Sequence, residues 1–298
     1  MSTRTDRSPS TGFTTAVAVV FSFVAACGSS STPSSNSTTA SATAISQLNA
    51  TLSDQPSGTV ALRWDPGTKN VTATVQMVDF TPNSSHAMHI HQGSCAAAGN
   101  VVVPFPDVTA NSEGVIDTTV TSLQPAPNGL TAGTSLNIHL APSSQLGDPG
   151  SLGFTPIGCG DINPAASETL TMAPPPQPGQ RPQASVQTTY DPAKKTLSVA
   201  VTASGLTPGS GHAQHLHHGT CASPKLLPAG PLEYPLDDLM ASPTGSATVT
   251  KVFSNVDQNL GGWYLNVHLG SSDQLFHNGN LGDPTLYFAP IMCGNIGT

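Results

Sequence analysis

Residues 86–95 read His-Ala-Met-His-Ile-His-Gln-Gly-Ser-Cys, and residues 212–221 read His-Ala-Gln-His-Leu-His-His-Gly-Thr-Cys. The two stretches lie 126 residues apart, and the same offset carries Trp64-Asp65-Pro66 onto Tyr190-Asp191-Pro192 and Pro82 onto Pro208. Further along, Leu136-Asn137-Ile138-His139-Leu140 matches Leu265-Asn266-Val267-His268-Leu269, and Pro156-Ile157-Gly158-Cys159-Gly160 matches Pro290-Ile291-Met292-Cys293-Gly294. The chain is a duplication with loop insertions. Its 298 residues suit two cores of ordinary size.

Working outward from the repeat, residues 59–64, 71–78 and 195–201 alternate or run β-branched between Asp-Pro turns, the pattern of half-buried strands. Charged residues make up only 9%, while Gly (28) and Pro (27) are abundant, which disfavours long helices and suits short strands joined by turns. The expected fold is all-β, two tandem sandwiches or flattened barrels at 50–170 and 184–298, joined by a Pro-rich linker at 171–183.

The N-terminus carries Arg4 and Arg7, an apolar stretch over 13–26, and Val24-Ala25-Ala26-Cys27, a pattern read as a secretory signal over 1–27. Ending on Cys after small residues, it resembles a bacterial lipobox. That resemblance implies a lipidated Cys27 and a membrane-anchored protein facing the extracytoplasmic side, held off the surface by a Ser/Thr-rich tether over 28–49. The alternative is an ordinary signal peptide with a chance Cys. Four cysteines remain, and an oxidising compartment favours their pairing. The repeat makes Cys95 with Cys159 and Cys221 with Cys293 the economical pairs, with cross-copy pairing as the alternative.

All ten histidines lie in or beside the repeated motifs. Side chains alternate faces along a strand, so His89 and His91 share one side while His86 takes the other. If Leu136 and Ile138 face the core, Asn137 and His139 face away from it, bringing a third imidazole from a distant strand. The same holds for His215, His217 and His268. Three neutral imidazoles suit copper, zinc, iron or nickel, and Cu(II) stands highest in the Irving–Williams order, so one copper per domain is expected. Surface or hydrogen-bonding histidines are the competing reading. His218 and His277 have no counterpart in the first copy and read as solvated loop residues.

These motifs resemble the Cu/Zn superoxide dismutase family: His86-x-x-His89-x-His91, the disulfide Cys95, the strand ending at His139, the Cys159-Gly160 pair, and residues 107–115. The resemblance implies a Greek-key sandwich or flattened barrel, makes His89, His91 and His139, with His215, His217 and His268, copper ligands, and gives His86 and His212 a supporting hydrogen-bond role. It departs in having no histidine between Cys95 and Asp107, so no zinc is expected. The guiding arginine is also missing, with Pro156 or Pro290 in its place. The chain further resembles the chordin-type (CHRD) repeat, with its Ala-x-His-x-His segment and later Tyr-x-Asn-x-His strand, as in 264–268. Such modules are not generally taken to be enzymes.

Three functions follow as expectations: a copper-only dismutase acting on superoxide, a copper-binding or buffering surface protein, and a metal-free structural module. A net charge of −8 with nine Lys and Arg excludes a nucleic-acid partner, because phosphate binding needs clustered cations. No nucleophile elbow or phosphate loop stands in a suitable context, and Asp237-Asp238 reads as a solvated turn. Oligomeric state is left open.

Overall fold

The computed structural model describes residues 46–163, 165, 167–175, 182–221, 223–224, 234–257 and 261–297. The signal segment, Cys27 and most of the tether lie outside the described residues, as does 176–181 of the linker. The expectation of an all-β protein holds: no α-helix occurs among the described residues, and the sheets form open sandwiches rather than closed barrels.

A first strand, β1 (Ser46–Asp54), precedes the first module. That module holds β2 (Ser57–Trp64), β3 (Val71–Val78), β4 (Ser85–His86), β5 (Met88–Ser94), β6 (Ala97–Pro104), β7 (Val108–Thr109), β8 (Ile116–Thr121), β9 (Thr134–His139), β10 (Pro156–Ile162) and β11 (Ser167–Met172). The second holds β12 (Gln183–Asp191), β13 (Thr196–Ser204), β14 (Gly211–His212), β15 (Gln214–Thr220), β16 (Ser223–Pro224), β17 (Tyr234–Pro235), β18 (Leu239–Met240), β19 (Ala247–Ser254), β20 (Trp263–His268) and β21 (Pro290–Ile296).

In the first module, a sheet ordered β11-β2-β3-β8 faces a sheet ordered β10-β9-β5-β6. Alternation along β3 turns Val71, Ala73, Val75 and Met77 inward, where they meet Met88 and Ile90 of β5 and Leu136 and Ile138 of β9. The second module repeats this with Leu197, Val199 and Val201 against Leu216, Leu265 and Val267. Burial of each large side chain contributes about 1.5–3 kcal/mol. Asp65 and Asp191 build matching turns, each Oδ1 accepting two backbone N–H groups, from Gly67 and Thr68 and from Ala193 and Lys194.

The two modules close differently from what tandem order suggests. In the first, β11 pairs with β2. In the second, the matching edge beside β12 is filled by β1, which pairs antiparallel with β12 from Ser46↔Tyr190 to Leu52↔Ala184 and then with β21 at Ser53↔Cys293 and Asp54↔Met292. Leu52 and Met172 occupy corresponding places, each buried in the module its strand completes. The sequence reading had assigned residues 46–49 to the tether; they are strand, because Leu48, Ala50 and Leu52 alternate onto the second core while the intervening polar residues face away. The described residues form one compact unit.

This closure explains the Cys-Gly pairs. A Cβ at Gly160 would lie 2.9 Å from Leu170 Cβ and Met172 Sδ of β11, and one at Gly294 would lie 2.8 Å from the Thr51 carbonyl of β1. Only glycine admits the closing strand at that distance. The disulfides join Cys95 to Cys159 and Cys221 to Cys293, so each ties the end of β5 or β15 to β10 or β21 within its own module, and the cross-copy alternative is not used.

Candidate metal centres

Because Met88, Ile90, Leu136 and Ile138 take the core side of β5 and β9, His89, His91 and His139 are driven to the opposite face of the same sheet. Register places His91 opposite Ser135 and His89 opposite Asn137. One nitrogen from each of His89, His91 and His139 lies within 4.8 Å of the other two, and His215, His217 and His268 form an equivalent group. All six residues are buried.

The first group has a defined pattern of protons. His91 Nδ1 donates to the Gly99 carbonyl (2.9 Å) and His139 Nδ1 donates to the Phe154 carbonyl (2.8 Å). A neutral imidazole has one N–H, so both Nε2 atoms present lone pairs, and these face each other at 3.3 Å. His89 Nδ1 is buried with no hydrogen-bond partner. Burial pushes His139 down to about 4, with the Phe154 carbonyl opposing, so His139 does not itself place a second proton in the gap at neutral pH. Converging, unprotonated donors fit a cation, which relieves the lone-pair opposition.

In the second group the third histidine is held in the same way. His268 Nδ1 donates to the Phe288 carbonyl (2.6 Å), leaving its Nε2 lone pair toward His215 Nδ1 at 3.3 Å, and His217 Nε2 is buried without a partner. Burial and the neighbouring histidines lower His215 to about 2 and His217 to about 3, and burial lowers His268 to about 4.

His86 and His212 do not join these groups. Each Nδ1 donates 2.9 Å to the backbone carbonyl of His139 or His268, and each Nε2 faces a serine hydroxyl, Ser84 at 2.6 Å or Ser210 at 2.7 Å. They fix the backbone that carries the third imidazole. His218 is not a loop residue as expected: it is an exposed position of β15 whose ring lies 3.7 Å from that of Trp263. His277 is exposed in a short 3₁₀ turn. Asp237 pairs with Lys251 on the surface, and Asp238 accepts from the backbone N–H and hydroxyl of Ser272.

Sequence reasoning missed Phe154 and Phe288. Each supplies the carbonyl that sets the tautomer of the third histidine and packs its ring on that imidazole, with centroids 4.8 and 4.7 Å apart. Their signal was the repeat itself, Phe two residues before Pro156-Ile157 and before Pro290-Ile291.

Residues 166–274 match the family model of the CHRD domain. This agrees with the chordin-type likeness of the motifs, and a CHRD domain is found there. The matched stretch opens on β11, the strand that completes the first module rather than the second. No curated protein matches the chain.

Proposed function

We propose that this is an exported, non-catalytic surface protein that binds copper at two three-imidazole centres, one in each CHRD-like module. The observation that carries this reading is the opposed pair of Nε2 lone pairs in the first module, 3.3 Å apart, with both Nδ1 protons committed to backbone carbonyls. Irving–Williams preference favours Cu(II) among divalent ions at such donors. Copper bound there supplies one-electron redox chemistry; the chain holds the ligand rings and buries them.

Two features favour binding over turnover of superoxide. The net charge of −8, with no arginine between Arg63 and Arg181, repels rather than steers an anion. The CHRD match points to a surface module rather than an enzyme. Both disulfides indicate an oxidising, exported setting, and anchoring through Cys27 belongs to the same proposal.

Copper titration of the full chain against a competing chelator tests this. Two equivalents are expected, falling to one in His91→Ala and one in His217→Ala. Superoxide turnover by the copper-loaded chain should not exceed that of the His91→Ala/His217→Ala double variant. Uptake no greater than that of the double variant would overturn the reading, and turnover well above it would replace the binding reading with the dismutase.

A further inference from the structure

The two triads use matching positions, yet the second is also approached by a residue of the other module. Asp79 follows β3 of the first module with a left-handed backbone (φ 66°), and it is fully buried. Its Oδ1 accepts from Asn266 Nδ2 of β20 at 3.5 Å. Asn266 stands between Tyr264 and His268 in the alternation of β20, so all three share the ligand-bearing face. Tyr264 in turn stacks on His217, with centroids 5.1 Å apart and ring planes 23° from parallel. Asp79 Oδ2, Asn266 Oδ1, the Tyr264 hydroxyl and His217 Nε2 are all buried without a hydrogen-bond partner.

The repeat shows that this is an addition. The position matching Asp79 is Gly205, also left-handed (φ 70°), and the position matching Tyr264 is Ser135. A left-handed backbone suits glycine and costs an aspartate about 1 kcal/mol or more. A fully buried carboxylate without a cationic partner costs more. Both costs fall on a residue whose hydrogen bond reaches the second ligand face, and a nearby cation offsets the second of them. Burial raises the Asp79 carboxyl to about 7, as expected for a charge lacking its counter-ion.

We propose that Asp79 is a positioning residue of the second metal centre, supplied across the module boundary, whose buried carboxylate compensates the charge of the ion and holds Asn266 in its place between Tyr264 and His268. The second centre therefore favours Cu(II) over Cu(I) relative to the first. This deepens the copper reading and rests on it.

The test uses the full chain in two backgrounds, His91→Ala, which keeps the second centre, and His217→Ala, which keeps the first. Cu(II) and Cu(I) affinities are each measured by competition with a chelator. In His91→Ala, adding Asp79→Asn should weaken Cu(II) binding about tenfold more than Cu(I) binding, because a buried carboxylate attracts the doubly charged ion more strongly than the singly charged one. Asp79→Gly should do the same while leaving thermal stability equal or higher, because it removes the left-handed strain and the buried charge together. In His217→Ala neither change should alter the Cu(II)-to-Cu(I) ratio. Copper bound with an unchanged ratio in the His91→Ala series, or an equal change in both backgrounds, would overturn the role of Asp79 alone. Copper bound by neither background would overturn the copper reading and this one with it.

Discussion

On the ligand-bearing face of β9, Ser135 sits two places before Asn137 and four before His139; on β20 the same place is Tyr264, stacked on His217. The backbone carbonyls from Phe154 and Phe288, the buried His86 and His212, and both disulfides are kept in each half. One difference lies where the halves meet. The third ring of each set is held by a hydrogen bond to a backbone carbonyl and tolerates little change, whereas groups at the module boundary answer only to each other. The duplication has thus preserved two donor sets and allowed the environment of one to diverge.

Acid is the strongest way to break that likeness. Burial lowers the pKa of seven histidines, His86, His89 and His139 in the first half and His212, His215, His217 and His268 in the second. Each stays neutral in the fold but takes a proton in the unfolded chain below about 6.5, so metal-free stability is fully present above that pH and is lost as pH falls. In the first half the loss runs to about 4, the value of His86 and His139, and in the second it continues toward about 2, the value of His215. Thermal unfolding of the metal-free chain from pH 7 to pH 4 should show a steep fall in Tm, larger for a probe in the second module. A Tm flat across that range would mean that the imidazoles are not buried as described.

Removing a disulfide should cost less, and here the halves should agree. The loops closed span 64 and 72 residues, for which chain entropy gives about 4 kcal/mol each and a difference of about 0.1 kcal/mol. Cys95→Ser/Cys159→Ser and Cys221→Ser/Cys293→Ser should therefore lose similar stability in chemical denaturation. A gap above about 1 kcal/mol would show that the modules differ in more than their ligand surroundings.

The closing strands separate the halves again. Leu52→Ala should cost about 2–4 kcal/mol through the cavity left in the second core, and Met172→Ala a similar amount in the first. Because β1 lies at the far end of the chain from the module it completes, Leu52→Ala should also weaken copper at the second centre while sparing the first, and Met172→Ala should do the reverse. The same pattern in both variants would deny the exchange.

Much of this was readable beforehand. Strict alternation at Met88-His89-Ile90-His91 and Leu136-Asn137-Ile138-His139 specified both the core face and the donor face, because a side-chain period of two leaves no other arrangement once the apolar residues are buried. β1 was hidden by its Ser, Thr and Asn content, which resembles the tether before it; only Leu48, Ala50 and Leu52 mark it. Asp79 gave no signal at all, since its hydrogen-bond partner lies 187 residues away and buried aspartates have no local pattern.

The smallest expected effect concerns a contact that the repeat conserves with different residues. Trp64 Nε1 donates to the Ala126 carbonyl at 3.0 Å, and at the matching position the Tyr190 hydroxyl donates to the Val256 carbonyl at 3.1 Å. Each fastens the strand before an Asp-Pro turn to the loop after the third strand of its own sheet. Tyr190→Phe keeps the ring and removes only the donor, leaving the carbonyl of the buried Val256 short of one partner, so a loss of about 1 kcal/mol is expected. Trp64→Phe removes both a donor and aromatic area over which Lys69 lies at 5.1 Å, and should cost more. Equal losses in urea denaturation would mean that the hydrogen bond, rather than ring area, is what the duplication has retained at this position.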